Sequence, residues 1–202
     1  MAASMLPVFT TALQNWKHLT NLKLNGNNFS HADAHTASQF FSALSRLPDL
    51  QHIDLRGCHL SKVTGFAFAS ELFNIRTLNN IDLSYNANLG DDAVIDILHA
   101  LRQCKCMSRV SLDNCSLTAA SLPAITAALR TWPELTTLSL RLNDFSAVTA
   151  EQANDFVAAV HARRKRVICW LHDFPKGMLP SRDEVFSPLI SFQRHRYITN
   201  VV

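Results

Sequence analysis

One phrase recurs along this chain, and an internal repeat narrows the possible folds more than any other feature. The phrase reads LTNLKLNGNNF from Leu19, LQHIDLRGCHL from Leu50, LNNIDLSYNANL from Leu78, MSRVSLDNCSL from Met107 and LTTLSLRLNDF from Leu135. Successive starts lie 31, 28, 29 and 28 residues apart, and a degraded sixth copy, RKRVICWLHDF, begins at Arg164, a further 29 on. With positions counted from each start, four and six are apolar in the first five copies: Leu22 and Leu24, Ile53 and Leu55, Ile81 and Leu83, Val110 and Leu112, Leu138 and Leu140. A period of two places each pair on one face of a short strand. Position nine holds Asn27, Cys58, Asn86, Cys115, Asn143 and, in the sixth copy, His172. Copy three carries one extra residue before Leu89, which predicts a small bulge in its turn.

The segments between phrases align too. Six residues before each start stand Leu13, Leu44, Leu72, Leu101 and Leu129; ten before stand Phe9, Phe40, Phe68, Ile97 and Ile125. Three before stand Trp16, Leu47, Ile75, Cys104 and Trp132; seven before stand Ala12, Ala43, Ala100 and Ala128, with Glu71 the exception. These spacings mark one face of a helix. The alanine column predicts a close approach of neighbouring helices. In the last unit Phe156, Ala159 and Val160 fit these columns only after a shift of two residues.

The phrase follows the pattern L-x-x-L-x-L-x-x-N/C-x-L and resembles the leucine-rich repeat; its period is similar to that of the ribonuclease-inhibitor subtype. The resemblance covers roughly residues 8–174. It implies an α/β solenoid, a short right-handed arc with about six parallel strands inside and helices outside. It also implies a buried position nine that satisfies backbone groups where the strand turns away. No unit buries its faces alone, so the units must stack. The expected organisation is an N-terminal helix or half-repeat cap over 1–18, the solenoid over 19–174, and a non-repeating tail over 175–202. That tail is rich in apolar residues, among them Met178, Leu179, Phe186, Ile190, Phe192 and Tyr197, and is expected to dock on the last repeat or on a partner.

The concave face should display positions three, five, seven and eight. It is polar and mixed in charge through the middle copies and turns apolar at Leu142, Ile168, Trp170 and Leu171. Exposed aromatic, aliphatic and arginine clusters mark interfaces. Tyr85, Arg109, Arg141, Leu142, Trp170 and Leu171 are therefore the candidate partner-binding residues. His99, Cys104, Cys106 and Cys115 raise the question of zinc, but the repeat assigns Cys104 and Cys115 to the core. His52, Asp54, Asp82 and Ser84 lie on adjacent strands, yet a paired parallel sheet offers no oxyanion donors. No catalytic residue, cofactor or metal is expected, and His52 is read as a groove residue hydrogen-bonded to a carboxylate.

Net charge is +3 over 202 residues, too mild to require a nucleic-acid partner. The one dense basic run, Arg163, Arg164, Lys165 and Arg166, is either a solvated helix end or a contact to an RNA-containing assembly. No apolar run approaches the roughly 20 residues of a membrane span. Five cysteines cannot all pair, which favours an intracellular setting, the cytoplasm first and the mitochondrion or nucleus as alternatives. No acidic residue precedes Asp33, as in mitochondrial presequences, but the segment lacks arginine and fits the helix columns. The resemblance implies protein recognition through the concave face. The expected function is a non-catalytic protein-interaction module, a scaffold or complex subunit binding through that face and the C-terminal end. The alternatives are a regulator of an enzyme or small GTPase, as in ribonuclease inhibitors and Ran-GTPase activators, or a subunit of an RNA-containing complex.

Overall fold

The computed structural model describes residues 2–163, 167–171, 174 and 190–194. Seven parallel strands form one sheet in chain order: β1 (Asn21–Lys23), β2 (His52–Asp54), β3 (Asn80–Asp82), β4 (Arg109–Ser111), β5 (Thr137–Leu140), β6 (Val167–Leu171) and β7 (Ile190–Arg194). Between them run α1 (Leu6–Leu13, ahead of β1), α2 (Ala34–Ser45), α3 (Lys62–Leu72), α4 (Gly90–Leu101), α5 (Leu122–Leu129) and α6 (Ala150–His161). This is the leucine-rich-repeat solenoid that the phrases imply. The seventh strand lies outside the repeat and pairs with β6 from Val167↔Ile190 to Leu171↔Arg194. No helix among the described residues is long and apolar enough to cross a membrane.

The core is a continuous seam. Every residue at positions four and six of the first five copies is buried, as are Leu44, Leu72, Leu101 and Leu129 from the helices. Each buried leucine contributes roughly 1.5–3 kcal/mol through the water it sheds. Local chemistry sets the helix starts. The Asp33 carboxylate accepts from Thr36 N–H at 2.7 Å, and Ser61 and Thr149 form reciprocal capping boxes with Thr64 and Gln152. Ala100 and Ala128 of the alanine column are fully buried, and α3 and α4 approach closely at Gly65. A Cβ there would lie 2.7 Å from both Ala93 Cβ and Leu89 Cδ2, so α3 and α4 meet where only hydrogen fits. Glu71, which breaks the alanine column, is half-buried and accepts from Ser45 Oγ at 3.2 Å.

Position nine ties the units together. Asn86 Nδ2 donates to Leu55 O at 2.9 Å and Leu83 O at 2.7 Å, while its Oδ1 accepts from Leu60 N–H at 2.9 Å. Asn143 Nδ2 donates to Leu112 O and Leu140 O, and Oδ1 accepts from Cys115 N–H and Leu117 N–H, all at 2.8–3.0 Å. Cys58 and Cys115 donate to Leu24 O at 2.9 Å and Leu83 O at 3.2 Å. Copy three's extra residue is absorbed by Gly90, whose φ is +67° and whose N–H reaches Cys115 O at 3.1 Å.

The sixth copy has a different register from the one its sequence offers. Thr137 pairs with Ile168, Leu138 with Cys169 and Leu140 with Leu171. Ile168 N–H donates to Thr136 O at 2.8 Å, the bond Thr137 N–H makes to Ser108 O one unit earlier. The sixth phrase therefore starts at Arg166. Counted from there, Phe156, Ala159 and Val160 fall into the helix columns unaided, and all three are buried. Position nine becomes Phe174, which packs 5.7 Å from Phe145 and 6.1 Å from Phe156 by ring centroids and cannot continue the polar ladder. His172 lies outside the described residues, as do 175–189 and 195–202.

Candidate partner-binding surface

The corrected register decides which candidates reach the groove. Leu171 occupies position six and is 1 % exposed, so it belongs to the core and not to a partner surface. Trp170 moves to position five, beside Ser139, and stays half-exposed. The Arg141 guanidinium lies over its indole, 4.2 Å from the ring centroid. Stacking of this kind holds a guanidinium flat and leaves its edge for hydrogen bonding.

Asp113 organises the same spot. Its Oδ1 accepts from Ser139 Oγ at 2.6 Å and from Arg141 N–H at 2.8 Å, and Oδ2 lies 3.7 Å from Arg141 Nε. Nε is buried and has no hydrogen-bond partner among the described residues. The arginine is thus held by stacking and charge attraction. Leu142 follows in the left-handed region (φ +58°) and is half-buried. Position eight is left-handed in all five intact copies, at Gly26, Gly57, Tyr85, Asn114 and Leu142. Tyr85 (φ +62°) is 41 % exposed and carries Arg56 over its ring, 4.6 Å from the centroid. Bulky residues at such an angle carry strain of about 1–3 kcal/mol, a cost that clusters at functional positions. Arg109 is exposed on β4 and makes no ion pair or side-chain hydrogen bond among the described residues.

Sequence reasoning passed over Asp113, because its role depends on the next strand. It also passed over Val63, Phe66 and Phe73, which are exposed on and just after α3, away from the sheet. Their spacing of three and seven was the available signal.

The other candidates assemble nothing. Among the described residues His52 makes no side-chain hydrogen bond to a carboxylate; Asp54 Oδ1 instead accepts from Arg56 N–H at 3.0 Å. Burial pushes the His52 pKa down, against the pull of Asp54. Ser84 is buried, its Oγ accepts from Asp113 N–H at 3.2 Å, and no hydrogen bond joins it to His52. Burial pushes the Asp82 pKa up, opposed by hydrogen bonds from Ser84. Cys58 and Cys104 are pushed up to about 11 and Cys115 to about 12 by burial; His99 and Cys106 are exposed, and no metal-holding cluster occurs among the described residues.

Arg163, the first residue of the basic run, is turned back onto the preceding unit. It fills the column of Trp132 and donates to Leu129 O at 2.8 Å, Pro133 O at 3.3 Å and Leu135 O at 2.9 Å. Trp132 Nε1 makes the matching bond to Leu101 O at 3.0 Å. In both units the side chain caps the last turn of the preceding helix. Burial lowers the Arg163 pKa. Arg164, Lys165 and Arg166 lie outside the described residues.

No family profile matches the chain. Over 98 residues it is 34 % identical to the mouse protein "NACHT, LRR and PYD domains-containing protein 5", spanning 48 % of this chain and 8 % of that one. Over 121 residues it is 31 % identical to the human "NACHT, LRR and PYD domains-containing protein 14", 59 % of this chain and 11 % of the relative. Over 141 residues it is 29 % identical to the pig "Ribonuclease inhibitor", 69 % of this chain and 30 % of the relative. The aligned stretches thus span less than a third of each of these relatives. Six stacked strand–helix units, the position-nine ladder and these likenesses agree: the chain has the leucine-rich-repeat fold, and its repeats are similar to those of ribonuclease inhibitor.

Proposed function

We propose that the chain is a non-catalytic protein-binding module, a scaffold or subunit of a larger assembly, that engages its partner on the C-terminal half of the concave face. The observation that carries this reading is the Arg141–Trp170 stack, braced by Asp113 and placed beside a left-handed Leu142. Tyr85 and Arg109 extend the surface toward the N-terminal units. Leucine-rich-repeat relatives favour binding over chemistry, and no described cluster pairs a nucleophile with a base. Five unpaired cysteines, four of them buried, fit a reducing intracellular setting.

The test is capture from the native source on immobilised chain, wild type against a variant with Tyr85, Arg109, Arg141 and Trp170 replaced by alanine. Proteins retained by the wild type and lost from the variant, with unchanged circular dichroism, are expected. Identical capture by both refutes this placement. A second reading, an inhibitor of an enzyme, is favoured by the similarity to ribonuclease inhibitor over 69 % of the chain. Stoichiometric inhibition across a ribonuclease panel would select it. The RNA-assembly reading loses Arg163, which is spent on three carbonyls.

A further inference from the structure

Resting on the concave-face reading, we infer that the partner presents an acidic, extended segment, with two carboxylates about four residues apart that meet Arg56 and Arg141. Three carboxylates stand against three guanidiniums and the Lys23 ammonium at the concave positions of the first five copies, so composition alone gives the face a charge of only +1. Their geometry does more. Asp54 and Asp82 each fold back onto the backbone N–H two residues on, at 3.0 and 2.9 Å. Asp113 is 15 % exposed and is occupied by Ser139 Oγ and Arg141 N–H. The acids are thus turned into the wall.

The arginines are turned out of it. Arg56 and Arg109 are exposed, and Arg56 and Arg141 lie over the rings of Tyr85 and Trp170, 4.6 and 4.2 Å from the centroids. Of the Arg141 guanidinium only Nε is buried without a hydrogen bond, the side chain is 32 % exposed, and among the described residues no hydrogen bond takes up its terminal nitrogens. A stacked guanidinium presents a planar fork that fits a carboxylate bidentately, with little rotamer entropy left to lose.

Arg56 and Arg141 hold the same position, seven, in copies two and five. Three strand spacings of about 4.8 Å separate them by about 14 Å, and an extended chain advances about 3.3 Å per residue, hence about four residues between the two acids. Protein is favoured over nucleic acid because both aromatic rings already carry an arginine on a face, which removes the open platform that unpaired bases stack on.

A phage library of random dodecapeptides selected on the full chain tests this. Synthetic versions of enriched sequences are then titrated by fluorescence anisotropy. Enrichment of Asp or Glu pairs four apart is expected, with Glu→Gln at either position weakening binding at least tenfold. Arg56→Gln should abolish the penalty at one acid and Arg141→Gln at the other, while Arg141→Lys restores binding only in part. Four results overturn the inference: no enrichment, enrichment of basic or neutral peptides, indifference to both arginine variants, or tighter binding of an oligouridylate than of any peptide. Native capture separates the two levels. If the quadruple-alanine variant loses its partners but acidic peptides fail, the surface binds a protein of other chemistry; if capture is also unchanged, the concave-face reading itself falls.

Discussion

Replacing Asn86 tests whether position nine, and not the leucine seam alone, holds the stack together. In Asn86→Leu the volume is nearly kept, but Leu55 O and Leu60 N–H lose their partner inside a region that excludes water. Leu83 O keeps the Cys115 thiol at 3.2 Å. Each orphaned buried group costs about 1–3 kcal/mol, so the substitution should lower stability by about 2–6 kcal/mol. Asn86→Cys is the sharper variant. Cys58 shows that a thiol at this position reaches the preceding unit's position-six carbonyl, at 2.9 Å. A cysteine therefore restores the bond to Leu55 O and orphans only Leu60 N–H, with a loss of about 1–3 kcal/mol. Urea unfolding followed by far-ultraviolet circular dichroism and by the fluorescence of buried Trp132 gives both numbers. The order wild type, then cysteine, then leucine is required. A leucine variant within about 1 kcal/mol of wild type, or a cysteine variant no better than leucine, refutes a hydrogen-bonded ladder.

Three further outcomes follow from the packing. Gly65→Ala should destabilise by about 1–3 kcal/mol despite alanine's higher helix propensity, because its Cβ meets Ala93 and Leu89; thermal melting checks it, and a gain in melting temperature contradicts the close approach. An aromatic disulfide reagent should modify the exposed Cys106 quickly and the other four thiols only on unfolding, read as one fast equivalent against five in denaturant. Those four thiols ionise in the unfolded chain from about pH 9 but stay protonated when folded up to about 11 or 12, so unfolding releases protons there. Stability should be flat below pH 8 and fall above 9 by about 1.4 kcal/mol per thiol per pH unit, whereas a flat profile to pH 10.5 would contradict their burial.

The fold was legible because it is periodic at two scales. Alternation fixed the strand faces, and the helix columns fixed which leucines meet behind them. The misread sixth copy shows where one signal runs out. A slip of two residues in a strand returns every side chain to the same face, so Val167 and Cys169 satisfy the alternation as well as Cys169 and Leu171 do. Only the helix could separate the two registers, since its columns tolerate no such slip. Phe156, Ala159 and Val160 already held the answer. The wrong register put Leu171 in the groove when it lies in the core, and gave position nine to His172 when Phe174 holds it.

The groove's polarity was less legible, for a reason of side-chain length. An aspartate at a strand end is short, so its nearest donor is the backbone N–H two residues ahead, as at Asp54 and Asp82. An arginine has no backbone acceptor within such easy reach on the sheet face and lies along whatever ring the next unit offers, Tyr85 for Arg56 and Trp170 for Arg141. A groove whose acids and bases differ by a single charge in the sequence thus shows mainly its bases to a partner. Extending an acid by one methylene should shift that balance. In Asp54→Glu the carboxylate overshoots the Arg56 N–H and competes for the exposed guanidinium, so acidic peptides should lose affinity without any change in net charge. Unchanged peptide affinity in that variant would mean that the acids' inward turn does not set the sign of the surface.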